Sequence, residues 1–480
     1  VERREPWLPS RPLPQRLGDQ HGGGTRVTPP QTAPITVLDR AAARALCDRV
    51  LAASPAAETM VRLEAVVDGH TRFALDQITT AGDVSDVRLT VTAREGSRSA
   101  SVSFNRGDDA GIAAAVERAT SLARLAPEDP EQMPLLGPQQ YQPVAAHFDS
   151  TAELDAVARA DAVARVVAGA GNGDAAGFLQ RRIAAIALAT SAGLFAYHRS
   201  TAAVLSATVR TPDGDGSGWA GITGNDWREE GDPERVGREA GRLAREGVDA
   251  DPVDPGAYTV VLSATAVGSL VQRFMGALDG RAAAEGRSPF SATDGGTRVG
   301  EQIVDDRVTI LSDPHDPQLR EPPFSPEGLP VSRTVWVEDG VLRTLAADRY
   351  WARRQGRDPV PLAGGIHMVG GSGSTDELVA TVDRGLLVTR FWYIRGVDPQ
   401  TMRYTGLTRD GTFLIENGRV ARPVQNLRFN QSVLGMLGSI EGIGAARRVI
   451  AAESGGLGPA VVVPPLVVRD FRFTSISDAV

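Results

Sequence analysis

The 480-residue sequence contains no lysine: all 51 of its basic side chains are arginines. Schiff-base catalysis, a phosphate-loop lysine and a Ser–Lys dyad therefore have no residue to carry them. Cysteine is almost as scarce. Cys47 is the only one, so neither a disulfide within the chain nor a multi-thiolate zinc site can form. It lies in a helix-patterned stretch, Asp39–Leu51, and reads as a small buried hydrophobe. No apolar run approaches the ~18 residues of a membrane span. A basic excess is also missing: 51 basic against 59 acidic residues give a net charge of -8, which disfavours a nucleic-acid binder. The start, Val1–Pro14, is charged and Pro-rich without an apolar leader core, so the expected compartment is the cytoplasm. Aromatics are few, at 5%, whereas Gly (52) and Pro (31) are plentiful and predict many turns and short strands.

Length and ordinary apolar content predict a globular protein of two or three domains. Residues 1–34, with seven prolines, the run Gly22–Gly24 and a solvated His21, read as a disordered tail. Residues 35–250 read as an α+β domain, with a split near 130–150 left open. Helices are expected at Leu38–Ala53, Ala110–Leu125, Ala152–Ala168 and Asp232–Glu246. Strands are expected at Arg62–Asp68 and Arg72–Thr79 across a turn at Asp68-Gly69, then at Val87–Ala93 and Ser99–Phe104. Three more follow at Gly177–Ala189, Gly193–Ser200 and Ala202–Arg210. This order predicts an antiparallel sheet with helices laid on one face.

The Pro-rich link Asp251–Gly256 marks the expected boundary before a β-rich domain over 257–480. That domain opens with a strand, Tyr258–Leu262, and a helix, Ala264–Leu278, whose apolar stripe reads as core. Short strands follow, among them Leu386–Ile394, with hairpin turns at Asp339-Gly340 and Asn417-Gly418. A barrel-like arrangement with a few helices is expected.

Chemistry is hard to find. The histidines at 21, 70, 147, 198, 315 and 367 form no close metal-binding pair. His70 and His198 read as sheet histidines, and Asp313–Pro317 (DPHDP) as a surface loop. His367 follows Gly364-Gly365, where backbone can approach a ligand, and is kept as a candidate. No G-x-S-x-G occurs, and Gly370–Ser374 reads as a loop. Phe391-Trp392-Tyr393 concentrates aromatics in an aromatic-poor chain and suits either sheet packing or an interface. Arg390 and Arg395 flank it. Either could meet a partner or a substrate carboxylate, or simply face solvent.

A set of segments in fixed order then resembles the TldD/TldE (PmbA) family of bacterial metallopeptidases, once described as modulators of DNA gyrase. They are Tyr258–Leu262, Ser288–Phe290, Asp313-Pro314, Pro326–Pro330, Val337–Leu342, Gly385–Thr389, Gly406–Gly411, Phe413–Gly418 and Asn426–Asn430. Asp76–Asp86, Val87–Val91 and Pro127–Pro130 fit the N-terminal part, so the resemblance runs from about Arg62 to Phe473.

The resemblance implies a zinc motif, H-E-x-x-x-H, on the first helix of the C-terminal domain of the catalytic member, completed by a C-terminal cysteine. Zinc there would lower the pKa of bound water to about 7. Aligned on Gly276, the motif falls on Gln272-Arg273-Phe274-Met275-Gly276-Ala277. The ligand positions are Gln272 and Ala277, the glutamate position is Arg273, and Cys47 lies in the wrong domain. This is the pattern of the TldE/PmbA subunit. The resemblance therefore implies a chain with no metal of its own and no catalytic residue, pairing with a zinc-bearing TldD-type subunit around a peptide substrate. The alternatives are an autonomous amidase or peptidase acting on a peptide-like metabolite, and a peptide-binding homodimer.

Overall fold

The computed structural model describes residues 37–362 and 364–477. The expected tail over 1–34, with His21, lies outside them. The first half contains α1 (Arg40–Ala53), β1 (Glu58–Ala74), β2 (Gln77–Glu95), β3 (Arg98–Phe104), α2 (Asp109–Leu125) and α3 (Asp149–Ala152). It continues with α4 (Ala156–Ala170), β4 (Asp174–Thr190), β5 (Phe195–Arg210), β6 (Ser217–Gly224), α5 (Trp227–Glu230) and α6 (Pro233–Glu246). Asp39, Asp108, Asp155 and Asp232 start the four long helices by accepting first-turn backbone N–H groups, which have no partner inside a helix.

The six strands form one antiparallel sheet in the order β3-β2-β1-β4-β5-β6. Burial alternates along β1, as a sheet covered on one face requires. Val61, Leu63, Ala65 and Val67 point at α1 and α2 together with Ala185, Ala187 and Ala189 of β4. Leu179, Leu205 and Ala207 lie under α4 and α6. All four long helices thus share one face, as expected. Cys47 is buried here, and burial pushes its thiol up to about 12, so it packs as an inert hydrophobe. On the opposite face, Leu188, Leu194 and Ala196 meet Phe324, and Val204 and Trp219 meet Ile450.

The second half begins with β7 (Gly256–Leu262) and α7 (Ala264–Val271). A large core lies between a six-stranded and a nine-stranded sheet and encloses α7. Val260, Leu386, Phe429 and Phe471 come from the larger sheet, and Ile310, Trp336, Ile366 and Val463 from the smaller. The end strands of the larger sheet, Phe391–Asp398 and Arg419–Pro423, do not pair with each other. The sheet is open, so the barrel-like expectation is corrected.

Other expectations are corrected as well. Asp68-Gly69 is not a turn, because β1 runs straight through it, paired with β2 and β4 on either side. Gly69 leaves room for Arg159 instead: a Cβ there would stand 2.3 Å from Arg159 Nη1. The hairpin turns at Leu75-Asp76, both with positive φ. The expected break before Ala202 is absent, since β5 pairs with β4 along its length. The expected helix Ala264–Leu278 ends at Val271 and tightens into a 3₁₀ turn over Gln272–Ala277. Its stripe still packs as core through Val267, Leu270, Phe274 and Leu278. The expected strand Leu386–Ile394 breaks after Val388. There Thr389 Oγ1 bonds the carbonyls of Asp410 and Gly411, and the chain crosses to the sheet's other end. The turns at Asp339-Gly340 and Asn417-Gly418 each join two antiparallel strands.

Candidate functional site

Ser263 caps α7 through the N–H of Ala266, and the helix is apolar almost throughout. Gln272 and Arg273, the first long polar side chains after it, emerge in the 3₁₀ turn at one wall of an open cleft of about 670 Å³. The edge strand Phe391–Asp398 brings Ile394, Arg395 and Gly396, its neighbour Arg403–Thr408 brings Tyr404, and the late segment contributes Ala452 and Glu453.

Glu453 is the hub. Its Oε1 accepts the Ile394 N–H at 2.7 Å and lies 3.5 Å from Arg273 Nη2. Its Oε2 lies 3.5 Å from Arg395 Nη1. Its backbone carbonyl accepts Arg390 Nη2 at 2.9 Å. Arg390 is buried, bonded to Asp410 Oδ2 at 2.9 Å, with its guanidinium 4.4 Å from the Trp219 ring centre and 4.9 Å from that of Trp392. Burial pulls its pKa below the ordinary arginine value, against the raising effect of the Asp410 carboxylate.

Tyr393 stands out from this edge, 53% exposed, at an irregularity in the pairing with the next strand. Its φ of 54° is strained for an aromatic residue, and Arg395 stacks 4.1 Å from its ring centre. Arg273 lies 5.3 Å from the ring centre of Tyr404. Of the candidate residues read from sequence, Arg273 and Arg395 therefore meet the Glu453 carboxylate and Arg390 its backbone carbonyl, while Trp392 and Tyr393 stack on Arg390 and Arg395.

The other candidates fall differently. Gln272 Nε2 donates to the Ala451 carbonyl at 2.6 Å and to the Ser269 carbonyl at 3.3 Å. Ala277 packs against the core, and its carbonyl accepts Ser288 Oγ. His367 does not line the cleft. It sits in a short strand with Nδ1 2.6 Å from Asp316 Oδ2, held under the DPHDP loop.

A zinc ion takes thiolate, imidazole or carboxylate ligands at about 2.0–2.3 Å. The positions where the resemblance places the metal motif offer an amide, a guanidinium and a methyl group. The one carboxylate nearby, Glu453, faces two arginines. An amide, a guanidinium and a methyl group are not zinc donors, so the groups at these three positions do not fit the ion, and among the described residues no group of three His, Cys, Asp or Glu gathers elsewhere.

Glu453, Tyr404 and Asp410 were not singled out in the sequence. The one signal near Glu453 is the Ser454-Gly455-Gly456 run after it, which marks a loop. Nothing marks Tyr404 without knowledge of which strands adjoin, and Asp410 enters only as part of Gly406–Gly411.

Among the described residues no helix is long and apolar enough to cross a membrane. A family model described as the PmbA/TldA metallopeptidase central domain matches residues 145–247, and the corresponding C-terminal domain matches residues 255–475. A metalloprotease of Methanothermobacter thermautotrophicus is 26% identical over 260 residues, which are 51% of this chain and 55% of the relative. The metalloprotease PmbA of Escherichia coli is 31% identical over 150 residues, 30% of this chain and 33% of the relative. These alignments span about half and a third of the relatives' own lengths. The crystal structure of TldE from Thermococcus kodakarensis superimposes with a TM-score of 0.78 over 90% of this chain and 100% of that one, at 16% identity, a likeness of fold. With both domain models matched in succession and the fold reproduced, the chain belongs to the PmbA/TldD metallopeptidase family.

Proposed function

We propose that this chain is the non-metal, TldE-type subunit of a two-subunit peptidase, helping to enclose and position a peptide for hydrolysis by a zinc-bearing TldD-type partner in the cytoplasm. The observation that carries this reading is the engagement of the motif positions. Gln272 is tied to two carbonyls, Arg273 is ion-paired with Glu453, and Ala277 packs on the core. An arginine cannot deprotonate water at neutral pH, and its fixed charge repels a cation. Zinc, and the activated water it supplies, would belong to the partner. This chain's residues would supply a wall that binds and orients: Arg273 and Arg395 present charge, and Tyr393 and Tyr404 present aromatic surface. The acidic net charge gives no support for nucleic acid as a ligand.

The test is reconstitution. The purified chain alone should cleave no unstructured peptide, and addition of a cognate subunit with an intact H-E-x-x-x-H should produce cleavage that neither protein shows by itself. Cleavage by the lone chain, or failure of every such subunit to associate, would overturn the reading.

A further inference from the structure

Arg273 has five N–H donors, yet among the described residues it donates no hydrogen bond. It has only the 3.5 Å ion pair with Glu453 and the stacking on Tyr404. Its Nε is buried without a partner, while the side chain as a whole is 29% exposed at the cleft. The Nε atoms of Arg94, Arg181, Arg199 and Arg448 are buried without a partner as well, so what sets Arg273 apart is its place at the open cleft. Arg395, 54% exposed on the same cleft, donates from Nη1 to the Ile394 carbonyl at 2.8 Å, and the same nitrogen lies 3.5 Å from Glu453 Oε2. The cleft thus holds two guanidinium groups with spare donors against one carboxylate, a local surplus of one positive charge in a chain of net charge -8. The floor is open as well, since a Cβ built on Gly276 would meet nothing within 4 Å.

We propose that this cleft binds a peptide carboxylate between Arg273 and Arg395, with the peptide lying over Gly276 and along Tyr404. The guanidinium fork matches a planar carboxylate in its two-oxygen geometry. One surplus charge suits a monoanion beside Glu453, whereas a phosphate dianion would bring a second negative charge with no cation to balance it. The carboxylate is that of the chain terminus or of an acidic side chain, since both present the same group. The proposal names the substrate chemistry of the subunit reading and rests on it for its biological meaning. Binding is nevertheless measured on this chain alone, so failure to bind and failure to reconstitute cleavage are separate results.

The probes are three fluorophore-labelled mixtures of random hexapeptides, followed by anisotropy on the full chain. The first lacks Asp and Glu and ends in a free carboxyl, the second lacks them and ends in an amide, and the third contains them and ends in an amide. Saturable binding of the first or third mixture, about tenfold tighter than the second, supports the proposal and identifies the source of the carboxylate. Arg395→Ala and Arg273→Gln should each remove that preference. Gly276→Phe should block binding by filling the floor while leaving the thermal midpoint unchanged, and Arg395→Ala alters only a half-exposed side chain, so neither result depends on a variant that fails to fold. Equal binding of all three mixtures, no binding of any, or preference retained in both Arg395→Ala and Gly276→Phe would overturn the proposal.

Discussion

The Arg159 guanidinium grips Asp83 with both terminal nitrogens, at 3.2 and 3.0 Å, from a side chain with no exposed surface. Arg181 reaches the same carboxylate at 3.1 Å, and the Arg159 fork fills the space above Gly69. Asp83→Ala leaves two buried arginines without their anion and should cost about 3 kcal/mol. Gly69→Ala should destabilise by about 1–3 kcal/mol, because its methyl overlaps Arg159. Urea midpoints of the two variants check both values. A midpoint for Asp83→Ala equal to that of the unmodified chain would contradict the assignment.

His198 is buried in β5 with Nε2 unpartnered, and burial lowers its pKa from 6.5 to about 4. The folded state therefore keeps the imidazole neutral at a pH where the unfolded chain already takes a proton. Its contribution is fully present above pH 6.5 and is lost as pH falls from there toward 4. The loss amounts to about 3 kcal/mol. His198→Leu should remove this part of the slope, so the stability difference between variant and parent should change in favour of the variant on acidification. A difference that stays constant from pH 7 to pH 4.5 would contradict it.

The helices α4 and α6 cross on glycines. A Cβ on Gly237 would lie 2.0 Å from the Val166 carbonyl oxygen, and one on Gly169 would lie 2.3 Å from that of Glu234. Propensity alone predicts that Gly237→Ala stabilises the helix by about 1 kcal/mol. Overlap with backbone should win, giving a net loss of about 1–3 kcal/mol and a lower thermal midpoint. A raised midpoint would show that the two helices can move apart freely.

Arg390 ties the Glu453 segment to the sheet, bonding Asp410 on one side and the Glu453 carbonyl on the other. Asp410 also accepts Ser217 Oγ from the first half of the chain. Arg390→Met should free residues 450–459 and lower stability by about 3 kcal/mol. Amide hydrogen exchange over that segment should accelerate while exchange in β1 and β4 stays slow. Unchanged protection there would mean that Glu453 is held by other contacts.

Features set by local chemistry were legible in the sequence. The start of the helix after Asp232, the Asp339-Gly340 and Asn417-Gly418 turns, and the alternation along β1 act through neighbours a few residues away. Asp68-Gly69 misled because its local signal belongs to a turn, while the actual demand on Gly69 comes from Arg159, far along the chain. The sheet's closure was misjudged because short strands separated by Gly, Pro and Asp look alike in barrels and in open sheets.

The cleft divides in the same way. Gln272, Arg273, Arg390 and Arg395 could be named from their positions along the chain. The convergence of the three arginines on Glu453, and the bond of Gln272 to the Ala451 carbonyl nearby, could not, because they depend on which strand borders which. His367 had a signal in its glycine pair, but its Asp316 partner occupies Nδ1 away from the cleft.

The central proposal is that this chain, with Gln272, Arg273 and Ala277 at the positions where the resemblance places the metal motif, holds no zinc of its own. Its most direct test is the zinc content of the full-length chain after equilibrium dialysis against zinc, measured together with peptide cleavage by the same sample. The account predicts no stoichiometric zinc and no cleavage until the zinc-bearing partner is added. One tightly held zinc per chain, with peptide hydrolysis by the chain alone, would contradict it.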